Sequence, residues 1–376
     1  MFLSISRRSK FLKNNIATVS RFCSSNSSQS GPVSSDPLEP ISLPANSCVI
    51  RGFHHDILLH KDSFEPLSEY ADKNPLLLPI PKGRLIAVGP HRQLQLNDRW
   101  RHLLWSGFIH SMICKQKGET ITDAFAFENL GVIKDLNILA FKEFTRGQDA
   151  EDTQNDHTEY AAFVKKLFSK SHGPTALQQL PDWANFLNSV LTTKPDDQLL
   201  HSSVFFGDEE MASLYIDLHR LVRHEFKNRG LGAEGTKILQ EMEKAYTDAM
   251  VVTECRKNPL LAHLLGQHGS AKAKNAPPGS ALVDVHRIAV SHAIEKELLT
   301  KVQTSSPTVD PKLLQTYDRK EVVRSLKYLF PDYPQAALNS FWDQRVWAKL
   351  DMDRRHPVPS IYSLWSPDIE ETRNQE

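Results

Sequence analysis

The chain has 376 residues, of which 40% are hydrophobic and 24% are charged, a composition typical of globular proteins. Its 45 Lys and Arg residues equal its 45 Asp and Glu residues, which excludes a protein that binds nucleic acid chiefly through a strongly basic surface. No apolar run reaches about 18 residues, so no membrane-spanning helix is predicted. The four cysteines lie far apart, without the spacing of a zinc site or a disulfide framework.

The N-terminal segment is basic, rich in serine and free of acidic residues, because the first acid of the chain is Asp36. Its apolar residues are spaced so that they can form one face of a helix. These features predict a mitochondrial presequence at residues 1–23, with Arg21 just before the cleavage site. A disordered basic tail and a chloroplast transit peptide are the alternatives. Removal of the segment leaves a chain that is acidic by about five charges.

The next segments change from polar to mixed composition. Residues 24–50 are rich in Ser, Pro and Asn, which predicts an extended, poorly ordered arm. Residues 51–150 predict a mixed α+β region, in which Arg84–Val88 is a strand. A buried helix is predicted to begin at Asp98, a good N-cap residue, and to end at Gly118.

Small residues within this central helix favour close packing. We expect Gly107 to allow the backbone of a neighbouring element to approach. The runs at residues 120–127 and 136–144, "TITDAFAF" and "LNILAFKEF", predict a pair of strands beside the helix, separated by "ENLGVIKD".

The remainder of the chain predicts helices. Residues 146–158 are acidic and polar and predict a loop, and residues 151–350 a helical region with a flexible basic linker near 267–280. Helices are predicted at 159–170, 181–191, 208–230, 233–256, 281–303, 311–329 and 334–350. Residues 351–376 predict an extended docking tail. The expected fold class is α+β, predominantly α-helical, with a small β element packed on a central helix and a helical C-terminal region.

The stretch "DLHRLVRHEF" at residues 217–226 has the composition of a metal site, but its spacing does not fit one. His219 and His224 are five residues apart, which separates them by about 140° around an α-helix. Helical ligand pairs in zinc enzymes are instead about one turn apart. Charge pairs among Asp217, Arg220 and His224 explain the stretch as a solvated helix face.

The other histidines give no catalytic pattern either. The run "HHDILLH" at residues 54–60 resembles part of a phosphohydrolase metal motif, but its surroundings do not predict a helix. His286 and His292 are six residues apart, and His292 is predicted to fill the core through one hydrogen bond. The sequence has no phosphate-binding loop, dinucleotide fingerprint or serine nucleophile elbow. No catalytic residue, cofactor site or metal site is predicted.

Residues 90–145 resemble a known family. The stretch Pro90–Arg92 precedes the central helix, which has Trp105–Gly107 at its middle, and Leu139–Thr145 matches the last strand of the family's hairpin. This arrangement is similar to the metazoan mitochondrial large-subunit ribosomal protein thirty-seven and programmed cell death protein nine family. The strand ends here in Lys142–Thr145, where the family has Gln-Leu-Asn-Thr, and about 230 residues follow. The resemblance implies a structural role in a mitochondrial ribosome, without catalytic residues.

We therefore expect a structural component of the mitochondrial ribosome in the matrix, with mitochondrial ribosomal proteins and limited rRNA as partners. The alternatives are a respiratory-complex assembly factor or accessory subunit, and a matrix enzyme whose active-site residues are dispersed along the sequence. The candidate RNA contacts are Arg99, Arg101, Lys272 and Lys274. The candidate partner-docking residues are Trp342, Trp347, Tyr362 and Trp365, although ordinary core packing also explains the tryptophans.

Overall fold

The structure is a computed structural model, and it has a predominantly α-helical α+β fold with small antiparallel sheets and a helical C-terminal region, as predicted. It describes residues 47–50, 57–60, 63–79, 94–116, 120–122, 124–134, 136–142, 145–147, 153–192, 194–256, 258, 261–262, 279–292 and 319–356. The predicted presequence, the strand Arg84–Val88 and most of the linker lie outside these residues.

Backbone contacts divide the chain into two units. The first unit comprises residues 1–76, 99–167 and 359–376, and the second comprises residues 77–98 and 168–358. The boundary between Leu167 and Phe168 falls within one long helix.

The described strands of the first unit form one three-stranded antiparallel sheet and two antiparallel pairs. They are β1 (Ser47–Ile50), β2 (Ile57–His60), β3 (Phe64–Pro66), β6 (Thr120–Thr122), β7 (Leu130–Ile133), β8 (Ile138–Phe141) and β9 (Thr145–Gly147). β1 pairs with β2, β6 pairs with β9, and the larger sheet has the order β3-β7-β8. The helices are α1 (Leu67–Lys73), α2 (Asp98–Gln116) and the first part of α3 (Thr153–His172).

The β7–β8 hairpin explains why the predicted strand pair was partly wrong. All four residues of each strand are buried, so neither shows the alternation of a half-exposed strand. β7 lies in the run "ENLGVIKD", which the prediction assigned to the connection between the two strands. The "TITDAFAF" run contributes only β6. The turn between β7 and β8 places Asn137 at a φ of +53°, a conformation that Asn tolerates.

The central helix α2 is fastened to β8 through its small and polar residues. The Ser106 hydroxyl accepts the backbone N–H of Leu139 at 2.9 Å, and His110 Nε2 lies 3.2 Å from the Leu139 carbonyl oxygen. A Cβ atom on Gly107 would lie 2.8 Å from Leu139 Cδ2. The strand thus packs against the helix at Gly107 as expected, but the atom closest to that glycine belongs to a side chain rather than to backbone.

The second unit contains the remaining described elements. They are β4 (Leu77–Pro79), β5 (Leu94–Leu96), α4 (Pro181–Val190), α5 (Asp196–Leu200), α6 (Asp208–Arg220), α7 (Phe226–Asn228), α8 (Gly232–Ala245), α9 (Asp248–Arg256), α10 (Ser280–His292), α11 (Arg319–Leu329), α12 (Tyr333–Asp343) and α13 (Met352–Arg355). β4 pairs with β5 in antiparallel register. Helix α6 packs on α10 and α11, and α12 packs on α8.

Several predicted boundaries differ from the observed ones for local reasons. The predicted helix 233–256 is divided into α8 and α9, because Tyr246 has an extended backbone with φ −145° and ψ 104°. The predicted loop 146–158 is shorter than expected, since α3 begins at Thr153. Within the predicted extended tail, residues 352–355 form α13.

The helix predicted at 208–230 has the expected ends and an unexpected middle. Glu210 accepts the N–H of Gly207 at its start, and Gly230 at φ +71° follows its end. Between α6 and α7, the residues Leu221–Glu225 form a π-helical segment. Such segments widen the helix by one residue per turn and occur frequently at functional sites.

Candidate functional site

The predicted RNA-contact residues of the central helix have different environments. Arg99 is exposed, and its Nη1 donates to Asn74 Oδ1 at 3.0 Å. Arg101 is half-buried, and its Nε atom is shielded from solvent. Arg99 is therefore better placed than Arg101 to meet a phosphate. Lys272 and Lys274 lie outside the described residues.

The two predicted docking aromatics that the structure describes, Trp342 and Trp347, pack in or against the core of the second unit. Trp342 and Trp347 stack with ring centroids 4.6 Å apart and an interplanar angle of 17°. Trp347 is only 4% exposed, and its Nε1 donates to Asp353 Oδ1 at 3.0 Å. Packing therefore covers the ring of Trp347, as the core-packing alternative expects, and its role in partner docking stays a prediction. Trp342 is partly buried against the same core. Tyr362 and Trp365 lie outside the described residues.

The C-terminal helix α13 is held by charged groups of the histidine-rich stretch. Arg355 Nη2 donates to Glu225 Oε2 at 2.8 Å, and Arg355 Nη1 lies 3.6 Å from Asp217 Oδ1. His356 Nε2 lies 3.4 Å from Asp217 Oδ2. Burial opposes ionisation of Asp217, but the adjacent His356 ring and the charge of Arg355 outweigh it and hold the Asp217 pKa below its usual value.

These contacts correct the interpretation of "DLHRLVRHEF" as a solvated face. Asp217 is only 21% exposed, since it serves as an anchor for the C-terminal helix. The π turn also brings the His219 and His224 rings to 6.3 Å between centroids, so the predicted divergence of about 140° is wrong. His219 Nε2 lies 3.5 Å from Asp284 Oδ1, and Arg223 donates to the same carboxylate.

Metal-ligand sets are absent from the described part of the chain. No group of three or more His, Cys, Asp or Glu side chains there could hold a metal ion. Cys255 is a free, buried thiol, and burial raises its pKa to about 12. Since the thiolate is the reactive form of cysteine, this thiol is unsuited to nucleophilic chemistry at neutral pH.

His286 is a histidine of α10 that the sequence did not single out as buried, and the side chain of His292, which is predicted to fill the core, lies outside the described residues. His286 is fully buried, and its ring lies 4.4 Å from that of Tyr215 and 4.5 Å from that of Tyr333. Its Nδ1 is 2.7 Å from the Leu282 carbonyl oxygen. Burial lowers the pKa of His286 to about 3, so the ring is neutral and packs as an aromatic group.

A polar cleft that was not predicted from the sequence lies in the second unit. Its volume is ≈ 330 Å³. One face of α4, the segment 194–204 and the N-terminal half of α12 line it. On α4 the lining residues follow helical spacing, because Asp182, Asn185, Phe186 and Ser189 share one side of the helix.

Side-chain amides hold the walls of this cleft together. Asn339 Oδ1 accepts hydrogen bonds from Gln198 Nε2 at 2.8 Å and from Gln335 Nε2 at 3.0 Å. The Gln335 Oε1 atom accepts the Ser202 hydroxyl at 2.8 Å and the Ser203 backbone N–H at 2.9 Å. These bonds fix the amide orientations, because each oxygen receives at least two donors.

Helix α4 and the start of α12 are also joined by a pair of polar side chains across the cleft. Asn185 Nδ2 of α4 donates to Asp332 Oδ1, next to the start of α12, at 2.8 Å. The lining further includes the carboxylate of Asp182 and the ammonium group of Lys194. The cleft therefore offers hydrogen-bonding groups and charge, with neither histidine nor cysteine among its lining residues. This composition suits binding better than proton transfer at neutral pH.

Comparisons with known proteins add no assignment. No protein-family model, curated protein or solved structure matches this chain. Among the residues that the structure describes, no helix is long and apolar enough to cross a membrane.

Proposed function

We propose that this protein is a structural component of the mitochondrial ribosome in the matrix. It would act by packing against neighbouring ribosomal proteins, with limited contacts to rRNA. The acid-free basic N-terminal segment supports import into mitochondria. The resemblance of residues 90–145 to a mitochondrial ribosomal protein family supports the choice of partner. The acidic remainder of the chain favours attachment through proteins over attachment through phosphates.

The observation that best supports a structural role is that three buried histidines of the second unit pack against aromatic rings. His201, His286 and His356 have relative exposures of 2%, 0% and 6%. Each packs on an aromatic ring: Trp347 at 4.8 Å, Tyr215 at 4.4 Å and Phe206 at 5.9 Å, respectively. These side chains, the usual agents of acid–base catalysis, thus contribute to the packing of the second unit.

The same features suit an assembly factor or accessory subunit of a respiratory complex, and affinity purification separates the two functions. We would tag the full-length protein at its C-terminus, purify it from detergent-solubilised mitochondria, and identify its partners by mass spectrometry. Enrichment of the proteins of one ribosomal subunit is the expected result. Enrichment of the subunits of one respiratory complex, with ribosomal proteins at background, would contradict the proposal. Recovery without partners would also contradict it and favour a matrix enzyme.

A further inference from the structure

We infer that the polar cleft between α4 and α12 binds an extended peptide segment that carries a lysine or arginine side chain. This inference rests on the proposed function to the extent that a neighbouring protein supplies the segment. The bound groups would be one peptide unit, held by the amides of the cleft, and one cationic side chain, held by its carboxylates.

The amide network leaves a matched donor and acceptor. Asn339 uses its Oδ1 atom for two internal bonds, and its Nδ2 atom has no hydrogen-bond partner among the described residues. Gln198 uses its Nε2 atom, and its Oε1 atom likewise has no partner there. A peptide unit presents one C=O and one N–H, which are the complements of these two atoms. A peptide backbone can therefore satisfy both.

The network also holds these atoms in place before a ligand arrives. Gln198, Ser202 and Ser203 are buried, at 6%, 2% and 3% exposure. Ser202 and Ser203 fix Gln335, and Gln335 together with Gln198 fixes Asn339. A site whose donors are already oriented loses little side-chain entropy on binding.

The charges of the cleft favour a cationic peptide over a nucleic acid. The lining contains two carboxylates, Asp182 and Asp332, and one ammonium group, Lys194. Asp332 uses Oδ1 for the bond with Asn185, and its Oδ2 has no partner among the described residues. The excess of negative charge repels phosphate and attracts a guanidinium or ammonium group.

The size of the cleft limits the ligand to a short segment. Its ≈ 330 Å³ is at the lower end of the range for ligand sites, about 300–1,000 Å³. Phe186, Leu199 and Val204 are buried lining residues that supply apolar contact for the methylene groups of a long side chain. A basic residue in an extended strand fits these dimensions and a folded element does not.

The test uses the full-length protein labelled with ¹⁵N and a small blocked peptide. The probe is N-acetyl-arginine N-methylamide, which has two peptide units and one guanidinium group. The comparison compounds are the corresponding norleucine derivative and AMP. Binding is followed by the side-chain amide resonances of Asn339 and Gln198. We expect saturable shifts with the arginine probe. The dissociation constant of the norleucine compound should be at least about tenfold higher.

Charge-neutralising variants show whether the response comes from the cleft. Asp182→Asn and Asp332→Asn keep the side-chain size, and Asp332→Asn retains an oxygen that can accept the Asn185 amide. In the double variant, the affinity for the arginine probe should fall to the affinity for the norleucine derivative. Asp343→Asn is the matched control, because Asp343 is an exposed residue of α12 outside the cleft lining, and it should leave the affinity unchanged.

Three results would overturn the inference. They are an absence of saturable shifts with the arginine probe at millimolar concentration, equal or tighter binding of AMP, and an equal loss of affinity in the control variant. A matching spectrum and thermal midpoint for the double variant show that it is folded. Failure of the cleft is distinguishable from failure of the proposed function. Sedimentation with a ribosomal subunit without probe binding rejects only the inference, and probe binding without such sedimentation rejects only the proposed function.

Discussion

The guanidinium group of Arg355 donates through Nη2 to both carboxylate oxygens of Glu225, at 3.0 and 2.8 Å. The residues are 130 positions apart in sequence, and their side chains are only 12% and 16% exposed. The bond joins the C-terminal helix α13 to the π-helical segment. The histidine-rich stretch that resembles a metal site in sequence therefore serves as an anchoring surface for the C-terminal part of the second unit.

Removing the charge of Glu225 should destabilise the protein. In Glu225→Gln the guanidinium groups of Arg355, Arg220 and Arg229 lose a charged partner, and we expect a loss of about 1.5–3 kcal/mol in the free energy of unfolding. Urea denaturation measures the change. The matched control is Glu241→Gln, whose pair with Lys244 has 47% and 71% exposed side chains and should contribute at most about 0.5 kcal/mol. Equal losses in the two variants would contradict the anchoring role.

The contribution of Asp217 should depend on pH. Its pKa in the folded protein is below the usual value, because the adjacent His356 ring and the charge of Arg355 overcome the effect of burial. The unfolded state therefore binds protons more readily, and this stabilisation is present above about pH 4 and is lost as pH falls below it. The difference in unfolding free energy between wild type and Asp217→Asn should shrink as pH falls below about 4. A difference that is constant over this range would count against the Asp217–His356 contact.

The His286 ring should remain neutral under mildly acidic conditions. Burial lowers its pKa to about 3, far below the value of about 6.5 in an unfolded chain. In ¹⁵N spectra at pH 5 we expect a neutral ring with the proton on Nδ1, which donates to the Leu282 carbonyl oxygen. Because the unfolded state gains this proton first, His286 also causes stability to fall as pH decreases from about 6.5 towards 3. Titration of the native ring near pH 6.5 would show that it is solvated.

Two glycines with similar backbone conformations should differ in their tolerance of alanine. Gly230 and Gly279 have φ values of +71° and +78°. A Cβ atom at Gly230 would have no atom within 4 Å, whereas one at Gly279 would lie 2.2 Å from the Leu239 carbonyl oxygen. We expect Gly230→Ala to cost about 1 kcal/mol from backbone strain alone, and Gly279→Ala to cost at least about 2 kcal/mol more. Comparable unfolding midpoints for both variants would be inconsistent with that close approach.

Charge reversal should separate the candidate RNA contacts. Arg99→Glu replaces an exposed cation of the central helix, and we expect reduced incorporation into the ribosomal subunit because phosphate contacts are lost. The double variant Lys272→Glu and Lys274→Glu tests the predicted linker in the same way. Lys227→Glu is the control, since Lys227 is an exposed residue of α7 outside the predicted contacts. Full incorporation of the Arg99 and linker variants would remove RNA contact from the proposal.

Local sequence signals predicted the helices well where both ends carry a physical marker. The helix beginning at Asp208 has acids in its first turn and Gly230 beyond its end, and both signals correspond to observed contacts or dihedral angles. The π segment has no comparable signal, because one extra residue in the hydrogen-bond ladder leaves the composition unchanged. The proximity of His219 and His224 could therefore not be obtained from a spacing of 3.6 residues per turn.

Contacts between residues far apart in sequence form the polar cleft and the tryptophan cluster, and local sequence patterns do not predict such contacts. The polar stripe of α4 can be recognised from helical spacing, but its partner Asp332 follows Asn185 by 147 positions. Local sequence likewise does not indicate that the His201 ring packs against Trp342 and Trp347, with ring centroids 6.3 and 4.8 Å apart. Local patterns identify which residues share a helix face, and tertiary packing decides what that face meets.

The central claim, membership of the mitochondrial ribosome, is tested most directly by sedimentation. A gently lysed mitochondrial extract is separated on a sucrose gradient with and without EDTA, and the protein is followed beside markers of both ribosomal subunits. We expect the protein to co-migrate with one ribosomal subunit and to shift in the gradient when magnesium is chelated. Migration near the top of the gradient, or with a respiratory complex irrespective of EDTA, would contradict it.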